Sequence, residues 1–172
     1  MKSTNYKKGD KVIYGTNGIC TVEDIQKMMF PMETEERTYY VLKPVNTRNS
    51  TLFVPDSNEE LMSKIRYILT KEEIDAVISG SNGKRLEWSD EKNARLASFN
   101  GILKSGNPEE LLLLIKCVYD RKTALLDMGK KLPAADENIL VCAEKLVREE
   151  FAYVLGISED QVGEYIRTNM KN

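Results

Sequence analysis

Lys11-Val12-Ile13-Tyr14-Gly15-Thr16-Asn17-Gly18-Ile19-Cys20-Thr21-Val22 holds two runs rich in β-branched and aromatic residues, split by a glycine-asparagine-glycine turn. Such residues fit a pleated, half-buried surface, and the turn between them marks a hairpin. Moving outward, the second run continues to Lys27, and a looser connection from Met28 to Glu36 leads into a third run, Arg37 to Val45. After residues 46–49 comes a last short run, Ser50 to Val54, closed by Pro55, which cannot donate to a ladder. Four short antiparallel strands between residues 7 and 55 predict a small, bent barrel of the SH3-like or Tudor-like kind.

Beyond Pro55 the hydrophobic period changes. Thr70-Lys71-Glu72-Glu73 has the form of a capping box and predicts a helix carrying Ile74, Val77 and Ile78 on one face. Ser79-Gly80-Ser81-Asn82-Gly83 reads as its end and as a flexible polar joint. Four further helices are predicted. Ser89 can cap the first, with Asp90 and Glu91 in its opening turn, and Ser105-Gly106 closes it. Asn107-Pro108-Glu109-Glu110 opens the second, whose Leu111 to Ile115, Val118 and Tyr119 are too apolar all round for a surface helix and place it at the bundle centre. The third runs from about Ala134 to Leu155 with Gly156 as its C-terminal cap, and Ser158-Glu159-Asp160-Gln161 starts a short closing helix. The expected class is α+β: a barrel over residues 1–66, a helix and joint over 67–83, and an all-helical domain over 84–172.

Composition narrows the function. The 172 residues are 41% hydrophobic, enough for real cores, and no apolar run approaches the length needed to span a bilayer. The start, residues 1–6, lacks a leader's apolar stretch, so a cytoplasmic protein without membrane contact is expected. Cys20, Cys117 and Cys142 are odd in number and form no CxxC, which favours plain packing over disulfides or zinc. The chain has no histidine, which removes the commonest general base, the commonest zinc ligand and every Ser-His or Cys-His nucleophile system. Phosphate-loop, nucleophile-elbow and dinucleotide motifs are missing as well. Asp90/Glu91 and Glu149/Glu150 read as exposed helix charges rather than catalytic pairs. The expectation is a binding protein, not an enzyme, with no cofactor, metal or small-molecule substrate.

The net charge of −2 averages over unlike segments. Residues 84–131 hold ten Lys and Arg against seven Asp and Glu, whereas 132–172 hold four against eight. Lys84, Arg85, Lys92, Arg95, Lys104, Arg121, Lys122, Lys130 and Lys131 are candidates for phosphate contacts, because cation release by such residues drives sequence-independent affinity. A solvated, mixed-charge surface is the competing reading. The single tryptophan, Trp88, lies between the joint and Ser89 in a basic setting. It reads either as a wedge or stacking contact to nucleic acid or as core packing at a helix start. As a staple it would face Asn93 if Ser89 is the cap, and Ala94 only if the cap shifts by one residue.

Tyr6-Lys7-Lys8-Gly9-Asp10-Lys11-Val12-Ile13-Tyr14, then Asn17-Gly18-Ile19, Tyr39-Tyr40-Val41-Leu42-Lys43 and Leu52-Phe53-Val54-Pro55, resembles the opening module of the CarD/CdnL family. Trp88-Ser89, Ser105-Gly106-Asn107, the leucine-rich helix, Ala143-Glu144-Lys145-Leu146 and Glu150-Phe151-Ala152 follow in the same family's order. The resemblance implies a bacterial transcription regulator whose Tudor-like domain binds the β subunit of RNA polymerase. Its helical domain would then contact promoter DNA near the upstream edge of the bubble, without strong sequence preference, with Trp88 in the minor groove, altering open-complex stability. By that resemblance Trp88, Lys84, Arg85, Lys92, Asn93, Arg95, Lys130 and Lys131 form the DNA side, and Met28, Lys43, Leu52 and Phe53 the polymerase side.

Two departures stand out. Gly15-Thr16-Asn17-Gly18 replaces the Pro-x-His-Gly common in the family, and the acidic Asp90 and Glu91 follow Trp88-Ser89 where many members are basic. Met28 and Phe53 also occupy positions that are basic in some relatives. The apolar stretch Met28-Met29-Phe30-Pro31-Met32 reads as a loop folded on the barrel core or as an adaptable partner surface. The acidic pair and the acid-rich C-terminal stretch support an alternative, in which the helical domain binds a protein rather than DNA.

Overall fold

The computed structural model describes residues 5–47 and 49–170. Residues 1–4, read above for a leader, residue 48 of the turn at 46–49, and residues 171–172 lie outside that range. The chain is α+β and divides into two compact units, residues 1–68 and 69–172.

The first unit is an antiparallel sheet of β1 (Lys11–Tyr14), β2 (Ile19–Met28), β3 (Arg37–Pro44), β4 (Leu52–Pro55) and β5 (Ile65–Tyr67), in the order β4-β3-β2-β1-β5. The turn between β1 and β2 is a single 3-10 turn, and Gly18, at φ 72°, takes the backbone region that side chains disfavour. Alternation places Val12, Cys20, Val22, Leu42 and Val54 on the inner face, all fully buried, and Tyr6, Tyr40 and Ile65 complete the core. Every strand contributes to this one cluster, so the sheet curls around it. Among the described residues no ladder joins β4 to β5, and both remain edge strands. A register shift between Val22 and Asp24 bends β2 where it crosses β3.

Two elements were not anticipated from sequence. The four-residue helix α1 (Glu59–Met62), capped by Asn58, carries the chain from β4 to β5. The fifth strand pairs with β1 through Val12 and Tyr67, Ile13 and Arg66, and Tyr14 and Ile65. Tyr6 fastens it from within, donating from its hydroxyl to the Ile65 carbonyl at 2.9 Å.

The second unit packs α2 (Lys71–Ser81), α3 (Lys92–Ser105), α4 (Pro108–Asp127), α5 (Ala134–Leu155) and α6 (Glu159–Met170) around one core. The boundaries follow the caps. Thr70 and Glu73 form a reciprocal capping box, Asn107 accepts from the Glu110 N–H ahead of Pro108, and Gly106 and Gly156 close α3 and α5 in left-handed conformation. At the centre α4 contacts α2, α3 and α5, with Leu114 and Val118 fully buried.

The sequence placed the division at residues 79–83 and counted α2 with the joint; the structure places it between Ile68 and Leu69. Ile74 and Ile78 are fully buried in the helical core, and Ser81, taken as part of a flexible joint, is buried in the last turn of α2 with its hydroxyl donating to the Ile78 carbonyl. A capped helix with an apolar face belongs to whichever core covers that face. Glu149 and Glu150 also differ from their reading as exposed charges. Only 10% of the Glu149 side chain is exposed, and Glu150, 3% exposed, accepts from the Leu69 N–H at 3.0 Å, tying the start of this unit to α5. All three cysteines are free, and burial pushes the Cys20 thiol up to about 11.

Candidate nucleic-acid interface and polymerase face

Trp88 lies in the irregular stretch between α2 and α3, half-buried at the margin of the helical core. Its ring meets Phe99 edge-on at a centroid distance of 6.0 Å. This contact replaces both staple partners considered from sequence, because the helix begins later than expected. Glu91, not Ser89, is the N-cap of α3, accepting from the Asn93 and Ala94 N–H groups. Its charge thus sits on the helix's positive end. Asp90 stays exposed, 4.0 Å from an Arg121 terminal nitrogen.

Two guanidinium groups lie over the Trp88 ring, Arg95 at 4.3 Å and Arg121 at 5.3 Å from its centroid, within cation–π range. Beside the ring opens a cleft of about 260 Å³ between this stretch and α4, with Arg85, Lys116 and Arg121 as its cations and Glu87 and Asp120 as its acids. Leu113, Cys117 and Ala124 give it an apolar floor along α4. Arg121 Nε is buried here and makes no hydrogen bond among the described residues.

Of the sequence candidates, Arg85 joins Trp88 at this cleft, while Lys92 and Asn93 are exposed in the first turn of α3. Lys84 is exposed but ion-paired with Glu109, and Lys122 is paired with Glu137 at 2.8 Å. Lys130 and Lys131 stand exposed on the connection from α4 to α5, and Lys104 lies at the far end of α3. Arg95 requires correction as a phosphate contact. It is only 6% exposed, and its Nε and Nη2 donate to the two Asp136 oxygens at 2.9 and 3.0 Å. Those bonds hold it protonated against the cost of burial. Its spacing gave the warning, since Arg95, Phe99 and Leu103 follow at four-residue steps and share the buried row of α3. Lys116 was not singled out from sequence, although it and Asp120 are one turn apart on the face that α4 turns to the cleft.

A different surface forms in the first unit. Phe53 on β4, 42% exposed, pairs with Val41 on β3, and Phe30 from the β2–β3 loop stacks edge-on against both Phe53 and Tyr39, at 5.6 and 5.1 Å. Glu33 pins this loop, accepting from the Phe30 N–H at 2.9 Å and from the Tyr39 hydroxyl. These bonds hold the Glu33 carboxyl below its usual range. The loop therefore folds onto the sheet's outer face, not its core, and leaves Met29 and Met32 largely exposed. Met28 closes β2 opposite Arg37, half-buried. Lys43 is exposed beside Glu23 at 3.6 Å, and Leu52 lies against the inner core at the β4 edge. Met28, Lys43 and Phe53 thus reach the surface, while Leu52 supports the strand behind them.

No helix among the described residues is long and apolar enough to cross a membrane. No curated protein matches the chain. Residues 6–66 match the family model described as CarD-like/TRCF RID domain, a family of RNA polymerase-interacting domains. The match covers the curled sheet from Tyr6 through the middle of β5, including the Phe30, Tyr39 and Phe53 cluster. Over residues 6–66 the N-terminal unit is thus similar to CarD-like/TRCF RID domains, and its curled sheet is consistent with a CarD/CdnL-like family.

Proposed function

We propose that this protein is a bacterial transcription regulator, without catalytic activity, that holds the RNA polymerase β subunit through its N-terminal unit and promoter DNA through its helical unit. The observation that carries the DNA half is the half-buried Trp88 ring at a cleft whose cations are Arg85, Lys116 and Arg121. An aromatic edge with cations beside it can lie against an unstacked step in a minor groove while the cations meet phosphates. The capping role of Glu91 supports the reading, since it engages one of the two acids that follow Trp88-Ser89. On the other side, the edge strand β4 and the apolar cluster of Phe30 and Phe53 suit a polymerase contact. A regulator of this kind acts by differential affinity: binding the open promoter better than the closed one shifts the equilibrium by that difference alone.

A forked promoter fragment at low salt tests the DNA half. The full-length protein is expected to shift it and Trp88→Ala to lose most of that binding. Equal binding by both proteins would count against Trp88. A second reading, a protein partner for the helical unit, is favoured by an apolar groove of about 610 Å³ between α4, α5 and α6, lined by Ile115, Tyr119, Ile166 and Met170 among others. No shift of any fragment by the wild type would favour that reading.

A further inference from the structure

Arg95 and Asp136 form the helical unit's most deeply buried ion pair among the described residues, with side chains 6% and 0% exposed. A buried pair of this kind seldom adds net stability, because desolvation offsets the attraction; apolar residues of similar volume often serve as well. Its contribution is geometric. The planar fork of Arg95 meets both Asp136 oxygens, at 2.9 and 3.0 Å, which fixes the guanidinium plane. Its remaining terminal nitrogen, Nη1, donates to the Ser89 carbonyl at 3.0 Å, one residue from Trp88, and the guanidinium carbon lies 4.3 Å from the centre of the Trp88 ring. One side chain therefore holds both the ring and the backbone just after it. Asp136 lies in the first turn of α5, where the helix's positive end favours a carboxylate.

We infer that Asp136 is a positioning residue which, through Arg95, sets the orientation of the Trp88 ring, and that DNA affinity depends on it although it is fully buried in the acid-rich part of the chain. The second clause rests on the DNA contact proposed above; the first does not. Arg121 also lies over the ring but has no comparable fork, its nearest acid being Asp90 at 4.0 Å, so Arg95 is the group that carries orientation.

Trp88 is the only tryptophan, so fluorescence excited at the red edge of the indole band, where tyrosine does not absorb, and the tryptophan bands of near-ultraviolet circular dichroism report on this ring alone. The full-length chain is compared as wild type, Asp136→Asn, the apolar double variant Arg95→Met/Asp136→Leu, and Glu137→Gln as a control at the neighbouring carboxylate. The double variant leaves no unpaired buried charge and is expected to keep its far-ultraviolet spectrum. Its Trp88 emission should shift to the red, its tryptophan dichroism should be lost, and its affinity for the forked fragment should fall to that of Trp88→Ala, with Asp136→Asn moving the same way. Glu137→Gln should match wild type throughout. A folded double variant with wild-type Trp88 spectra would overturn the inference. Altered spectra with unchanged affinity would overturn its DNA clause. If wild type binds no DNA, the proposed function falls, while the spectra still decide whether Asp136 orients the ring.

Discussion

Single side chains in this protein do work that their type alone does not announce. Phe53 is 42% exposed and Met28 half-buried, so replacing both with aspartate adds charge to a surface instead of to a core. Circular dichroism of the double variant should match wild type, whereas pull-down of the polymerase β subunit should be lost; retained binding would remove these residues from the interface. Phe99 is the opposite case. It is 2% exposed and supports Trp88 from below, so Phe99→Ala should destabilise the helical unit by about 3–5 kcal/mol in denaturant unfolding, as buried aromatic truncations do. A loss within the usual range for surface substitutions would mean that the ring is not part of the core. At this scale the sequence was legible for type and misleading for exposure. Arg95 and Glu150 were read by their charge and Asp136 was not singled out, yet each falls on a row of apolar residues at helical spacing and is buried with it. The ion pair that makes this possible joins residues forty-one apart, which no local pattern reveals.

At the scale of elements, caps and periods predicted the start of α4, the span of α5 and the first three strands closely, because each carries its own signal of proline, asparagine, glycine or alternation. Where the local signal is short or absent, the reading failed. β5 has only three residues and exists through its pairing with β1. The start of α3 moved because a glutamate side chain can cap as well as a serine. The place of α2 was set by which core covers Ile74 and Ile78, a tertiary fact. One tie between α2 and α6 gives a pH test. The Tyr165 hydroxyl donates to Asp75, and that bond, with burial, pushes the tyrosine up to about 12 from an ordinary 10.0. A group whose folded value is raised gives stability that is complete below its unfolded value and is lost as pH rises through the folded one. The stability of the helical unit should therefore fall between about pH 10 and 12 in wild type, and Tyr165→Phe should remove that part of the fall. Identical pH profiles for the two proteins would show that the bond contributes nothing.

For the whole molecule, two cores without shared residues give two units, each with its own proposed binding surface on one chain. The first unit's likeness was legible because its motifs run nearly unbroken through the strands that build it. The helical unit offered one tryptophan and a scatter of cations, and only folding selected Arg85, Lys116 and Arg121 to stand beside Trp88 while placing Arg95 inside. If the two surfaces act as a bridge, neither suffices alone. The most direct measurement is the lifetime of promoter open complexes formed by RNA polymerase with wild type, with Trp88→Ala, and with Met28→Asp/Phe53→Asp. Wild type should change that lifetime and each variant should return it to the value of polymerase alone; a variant lesioned at either surface that keeps the full wild-type effect would contradict the bridge.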